Sequence, residues 1–581
     1  MITRSHPLLW AAVLLCFSVL LYFWGLGRMP FYTKGEPREA VQVWEEVHNG
    51  EWILPLRGGF DLPSKPPLFH WLAGLSALAL GEVSEFAVRL PSALLATLSV
   101  LLVFWLGYQK WGTPAGVYAG FMLATNFEWM RAATTARVDM TLTAFLIGAF
   151  VALDRVLSAP VPPRGALAAL YLCIGLATLG KGPVGIVLCA LVALVYLASR
   201  GDLSRLRQMR VVSGGAAALA IAGSWYVLAI LEGGLPFVYK QLWVENFGRF
   251  FAAEASGAGH EHPFYYMIGA FFGGFAPWSV FVVPLGFFVY TKRRRLEALG
   301  FLYPLVWTGV IFTFYSISAS KRTVYLLPIY PAVALLLGAW WQQLSEDEHS
   351  VPPLVVRSLR IMSYLLTVLV VAALAVIVAT GLGLEPLAWL KPLLHHKDQE
   401  NLPLFEHVVR ARFPIFVAWT AALLPIILLF AFGVSWRNWA LVFAALVAFV
   451  AAAESVVDGV FQPMVAEQRS FKPFMENVRS VVAEEDQLSF YRAFDYGAVF
   501  YARRHIVPLD DGFGDPPPPD RRSYLLLWES EWNRLPDSER ARLDFLLKSD
   551  GAGPKGRDPL VFALVKPAEP QSPPAEGPAV D

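Results

Sequence analysis

Six short polar motifs interrupt an otherwise apolar chain, and their residue types suggest one kind of chemistry. They are Lys34-Gly35-Glu36-Pro37-Arg38, Ser64-Lys65-Pro66-Pro67, Arg137-Val138-Asp139, Lys181-Gly182-Pro183, His260-Glu261-His262-Pro263 and Ser320-Lys321-Arg322. Lys65, Lys181, Lys321, Arg322, Arg38 and, further on, Arg249 are suitable partners for phosphate oxygens. Glu36 and Asp139 could orient or deprotonate a hydroxyl, with Glu39 a close competitor for the role. His262, His260 and Asp61 are the candidate metal ligands, with His262 alone unable to make a site. Each has an ordinary alternative. Glu36 could be a plain acid in a first helical turn beside Pro37, and Asp139 could cap a helix or pair with Arg137. His262 could cap a helix, and Lys321-Arg322 could anchor a span at the interface.

The elements that must position these residues are membrane spans. The chain has 581 residues, 56% hydrophobic and 16% charged, which excludes a soluble protein of this size. Thirteen apolar stretches are predicted to cross the membrane, at 8–27, 86–108, 113–130, 139–157, 165–180, 182–199, 211–232, 265–290, 299–318, 323–341, 361–383, 412–432 and 436–456. A shorter stretch, 68–80, reads as an interfacial helix, and residues 37–48 and 233–264 as amphipathic juxtamembrane segments. With the N-terminus inside, Arg155, Arg164, Arg200, Arg205, Arg207, Arg210, the run 292–295, Arg357, Arg360 and Arg437 fall in inside loops, as the positive-inside rule expects. All six motifs then lie outside. Basic residues there run against the trend, which implies an anionic ligand. Cys16, Cys173 and Cys189 sit in apolar runs and suggest neither a disulfide framework nor a zinc cluster.

Three regions are expected: a membrane domain over 1–456, a small soluble α/β domain over 457–566 and a disordered Pro/Ala/Glu-rich tail over 567–581. In the second, strands are predicted at Leu488–Phe490, Ala498–Tyr501, Tyr524–Trp528 and Leu560–Val565, with helices near 471–483 and 537–548.

In order, these motifs resemble those of the GT-C superfamily of polyprenyl-phosphate-sugar-dependent glycosyltransferases. The similarity is to the aminoarabinose transferase-like members, related to the protein O-mannosyltransferases. It is carried by Glu36-Pro37-Arg38, Lys65-Pro66-Pro67, His70-Trp71-Leu72, Phe86 to Pro91, Arg137-Val138-Asp139, Lys181-Gly182-Pro183, Glu245 to Phe250, His262 to Tyr266, Pro277-Trp278, Ser320-Lys321-Arg322 and Tyr325-Leu326-Leu327-Pro328. The resemblance implies a polytopic GT-C fold with about thirteen spans and an inverting transferase. Its donor would be a polyprenyl-phosphate sugar. Its acceptor would be a lipid A-type lipid, another envelope glycan or a protein on the outer face of a bacterial inner membrane. Glu36 and Asp139 take the catalytic positions and the cations above the donor positions, Tyr325 is a further candidate with no assigned role, and nucleic acid is not a partner. A flippase, polymerase or ligase for polyprenyl-linked sugars is the alternative. The chain departs from the family pattern twice: Gly35 replaces the Asp of an Asp-Glu pair, and Ser64 stands where the aminoarabinose enzymes place an acid that can hold a divalent metal. Ser64 is a poor zinc ligand.

Overall fold

The computed structural model describes residues 6–33, 35–251, 260–346, 353–393, 399, 401–513, 521–550, 553 and 558–566. Lys34, the proline loop at 516–519 and the 567–581 tail lie outside the described residues. The chain divides into two compact units, one of Met1–Met29, Gln42–Leu56 and Asp61–Pro463, the other of Pro30–Val41, Arg57–Phe60 and Met464–Asp581.

The first unit is helical, and the predicted apolar stretches are largely helix, with 113–130 broken at Thr125-Asn126 and 265–290 broken at 275–277. Among the described residues, eight helices are long and apolar enough to cross a membrane, or nine counting the pair Tyr266–Gly274 and Trp278–Thr291, bent by 111°. Four predicted spans are shorter than expected: Pro7–Phe23, Thr113–Ala124, Val184–Ser199 and Leu302–Ile317. Leu68–Leu80 is a 13-residue apolar helix, as its length suggests. The protein is a multi-pass membrane protein. Its periphery is apolar, as lipid contact requires: only 17% of the apolar window in Val355–Gly381 is buried, and Leu365, Val368 and Leu369 point outward. The centre holds buried tryptophans, among them Trp129, Trp278 and Trp307. The Trp278 indole donates to Thr125 Oγ1 at 3.0 Å, so the ring packs without stranding its N–H.

One boundary differs in a way that matters for the site. The span expected to end at 232 continues through Val211–Val238 into a wide-turned π-helix, Tyr239–Gly248, and a last turn, Arg249–Phe251. Gly234 breaks the helical path with φ 58° and ψ −152°, a conformation that only glycine adopts readily. The amphipathic segment 239–251 is thus helical and follows a break at the end of the preceding span, as a juxtamembrane segment would.

The second unit holds a five-stranded sheet, β1 Gln487–Tyr491, β2 Val507–Leu509, β3 Ser523–Trp528, β4 Leu543–Lys548 and β5 Leu560–Val565, in the order β2-β1-β3-β5-β4. β1 runs parallel to β2 and β3, and β5 is antiparallel to β3 and β4. Segment 30–41 packs with it: the Phe31 N–H donates to Tyr501 Oη at 2.7 Å, and Ser470 Oγ donates to the Phe31 carbonyl at 2.8 Å. Two local expectations are corrected here. The apolar run Ala498–Tyr501 is helical, within Tyr496–Ala502, because Asp495 caps its first turn through Gly497 N and Ala498 N. The stretch expected to be helical over 537–548 is one helical turn, Asp537–Arg540, followed by β4.

Candidate functional site

Five of the predicted site residues, Lys65, Asp139, Lys181, Arg249 and Tyr325, meet near the ends of spans in the first unit. Lys65 sits in loop 61–67, which is fastened to the π-helix Tyr239–Gly248 at three points. Lys240 pairs with Asp61 at 2.5 Å, Gln241 Nε2 donates to the Pro63 carbonyl at 2.9 Å, and Lys65 Nζ meets Glu245 Oε2 at 2.6 Å. Glu245 also receives Arg249, one turn on, with Nε at 2.7 Å from the same oxygen and Nη2 at 3.3 Å from Oε1.

Helix Arg164–Lys181 brings in the next cation. It stops at Gly182, whose φ of 94° admits no ordinary side chain, and an added Cβ would meet Asn246 Oδ1 at 3.1 Å. Lys181 is left at the helix end, paired with the Asp139 carboxylate and with its ammonium 4.3 Å from the centre of the Tyr325 ring. Asp139 lies in the first turn of Val138–Ser158, where the helix dipole favours an anion. A strap over 318–322 closes the arrangement. Its Ala319 and Ser320 N–H groups donate to the carbonyls of Phe250 and Arg249 at 2.8 and 3.1 Å, and it leads into Thr323–Ile329, which carries Tyr325.

These side chains line a cavity of about 310 Å³. Lys65, Lys181, Arg249, Glu245, Asn246 and Tyr325 share its wall with Val184, Val187, Phe247, Phe250, Phe251 and Phe314. Asp139 begins a span, Lys181 ends one, and Arg249 and Tyr325 lie near the end and the start of two more. The cavity therefore sits at a membrane edge. Burial holds the Lys65 ammonium below the ordinary lysine range; Glu245 pulls it back up and Arg249 opposes that.

The other predicted residues are not among those lining this cavity. Lys321 turns its ammonium to the Ser318 carbonyl at 2.5 Å and lines a different cavity with Phe264 and Ile268. Arg322 meets His260 Nε2 at 2.9 Å. Glu36, Arg38 and Glu39 occupy the first turns of helix Gly35–His48, in the part grouped with the second unit. Glu36 and Glu39 are buried, and Arg38 pairs with Glu39 at 2.6 Å.

Glu245 was not singled out from the sequence. The signals were its place at the start of the motif Glu245 to Phe250 and its spacing of four from Arg249, which on a helix places a Glu beside an Arg.

The metal candidates do not form a ligand set. Asp61 is held by Lys240, His260 meets Arg322, and His262 stacks on Tyr266 with ring centres 4.1 Å apart. Among the described residues no three His, Cys, Asp or Glu side chains cluster in a way that could hold a metal ion. With Ser64 at the position of the usual acid, the residues present do not fit a divalent metal.

Comparison with known proteins places the geometry in context. Residues 64–227 match the family of dolichyl-phosphate-mannose-protein mannosyltransferases. Over 333 residues the chain is 28% identical to an undecaprenyl phosphate-alpha-4-amino-4-deoxy-L-arabinose arabinosyl transferase 2 of Proteus mirabilis, covering 57% of this chain and 59% of that relative. It therefore spans less than two thirds of that relative's length. A similarly named enzyme of Yersinia pestis is 27% identical over 400 residues, covering 67% of this chain and 68% of its own. The crystal structure of ArnT from Cupriavidus metallidurans bound to undecaprenyl phosphate superposes with a TM-score of 0.76 at 19% identity, over 96% of this chain and 98% of that one. The same protein in the apo state gives 0.74 at 20% identity. The chain thus has the GT-C fold and is similar in sequence to the aminoarabinose transferases and to the protein mannosyltransferase family.

Proposed function

We propose that the protein is an inverting glycosyltransferase that takes a sugar from an undecaprenyl-phosphate donor and gives it to a lipid or glycan hydroxyl. The proposed setting is the periplasmic face of a bacterial inner membrane. One observation carries the reading: three cations and an apolar, largely aromatic wall line a single cavity at a membrane edge. A prenyl phosphate is anionic at one end and hydrocarbon at the other, and few other ligands need both surfaces. In the transfer, the acceptor oxygen attacks the anomeric carbon and the bond from that carbon to the phosphate oxygen breaks. The phosphate keeps the electron pair, and a carboxylate takes the hydroxyl proton. Lys65, Lys181 and Arg249 stabilise the charge that builds on the leaving phosphate. Glu36 is the proposed base, and Asp139 acts through Lys181, holding its ammonium in place.

Purified protein incubated with radiolabelled undecaprenyl-phosphate sugars and lipid A-type or glycan acceptors is expected to transfer label from at least one donor. EDTA is expected to change the rate by less than about twofold, because the donor set does not suit a metal. Binding of the donor with no transfer to any acceptor would overturn the enzyme reading in favour of a protein that moves polyprenyl-linked sugars.

The pH profile should carry the mark of Lys65. Only the ammonium form binds phosphate, so binding is present below its pKa and lost as pH rises through it. With that pKa depressed by burial, kcat/KM is expected to fall at a pH below the about 10.4 of an ordinary lysine. Lys65→Arg should move the fall to higher pH. A profile unchanged by that substitution would assign the titration to another group.

A further inference from the structure

We infer that Glu245 competes with the donor's phosphate for Lys65 and Arg249 and tunes the cavity to release the spent carrier; this rests on the reading of the cavity as the phosphate site. Its carboxylate occupies the positions a phosphate would want. One oxygen takes Lys65 at 2.6 Å and Arg249 at 2.7 Å, and the other takes Arg249 Nη2 at 3.3 Å. Two oxygens bridging a lysine and an arginine fork are what two non-bridging phosphate oxygens would provide. A phosphate and a carboxylate cannot both hold these cations closely without strong repulsion, so an arriving phosphate must displace Glu245 from at least one.

The local backbone suits such a displacement. Glu245 is carried by a π-turned segment, a form found often at functional sites, and that segment follows the break at Gly234. Asp139, the other carboxylate among these cations, starts the regular helix Val138–Ser158 instead.

Charge sets the consequence. Lys65, Lys181 and Arg249 against Glu245 and Asp139 leave one net positive charge. The sugar-phosphate donor is a phosphodiester with one negative charge. The prenyl phosphate left after transfer is a monoester with about −1.5 to −2 at neutral pH. A cavity balanced for the diester leaves the monoester partly uncompensated, so Glu245 favours exchange of product for donor.

The test compares Glu245→Gln with wild type and with Glu245→Asp, which keeps the charge. The probes are undecaprenyl phosphate, its methyl phosphodiester and undecaprenol. In Glu245→Gln the monoester is expected to bind about tenfold tighter, the diester to gain less, and kcat to fall as product release slows. Glu245→Asp should retain the wild-type preference. Weaker binding of both phosphates in Glu245→Gln would overturn the inference and leave Glu245 as an organiser of Lys65 and Arg249. Equal tightening of both would overturn the release role. If wild type binds undecaprenol as well as it binds undecaprenyl phosphate, the phosphate-site reading itself fails, whatever the variants do.

Discussion

Lys65→Met is expected to lower kcat/KM for the polyprenyl-phosphate sugar by about 10²–10³-fold, the range seen when one preorganised electrostatic donor is removed from a reaction centre. Methionine keeps most of the lysine's length and apolar stem but removes the ammonium. The loss should be large because Lys65 is only 14% exposed as a side chain and its partner Glu245 only 9%, so water cannot take over the charge. Glu245 would keep Arg249, and a partner that retains one cation limits the cost to folding. The variant should therefore reach the membrane and melt within a few degrees of wild type in detergent while failing to bind undecaprenyl phosphate. A kcat/KM within threefold of wild type would remove the cavity from the reaction.

Glu36→Gln is expected to lower kcat by about 10²–10⁴-fold with little change in donor KM, as befits loss of a general base. The competing assignment is Glu39, whose carboxylate accepts both Nε and Nη2 of Arg38, at 3.1 and 2.6 Å. With Glu36 as the base, Glu39→Gln should cost less than Glu36→Gln. The reverse order in a single-turnover assay would exchange the two roles. Asp139→Asn should instead raise donor KM together with lowering kcat, because its partner is Lys181.

Much of the site was legible in the sequence because charge at a membrane edge is costly and rarely idle. Lys65 beside two prolines and Lys181 between two glycines stood out as cations held by rigid turns, and both line the cavity. Glu245 did not stand out. A glutamate four residues before an arginine reads as an ordinary helical pair, and its second partner is 180 residues away in sequence. Lys321-Arg322 face other partners for a different reason. Adjacent side chains on a strap diverge, so one caps its own loop carbonyl and the other reaches His260. In the soluble region the four apolar residues 498–501 looked like a buried strand, and periodicity alone cannot separate that from a short buried helix. The deciding residue, Asp495, lies outside the run. The stretch 543–548 failed for want of context: its solvent-facing positions 544–546 are permitted by antiparallel pairing of β4 with β5.

The three fastenings between loop 61–67 and helix Tyr239–Gly248 also bear on how the protein is made. Each joins residues 178–180 apart in sequence. At about 5–20 residues per second of synthesis, loop 61–67 emerges roughly 10–40 s before its partners exist. During that interval Lys65 and Asp61 have neither Glu245 nor Lys240 to neutralise them. The loop must wait in water or among lipid headgroups while the helices between 85 and 199 insert. The ligand cavity is thus a late product of biogenesis, assembled only when the 211–251 span arrives to collect a segment already laid down.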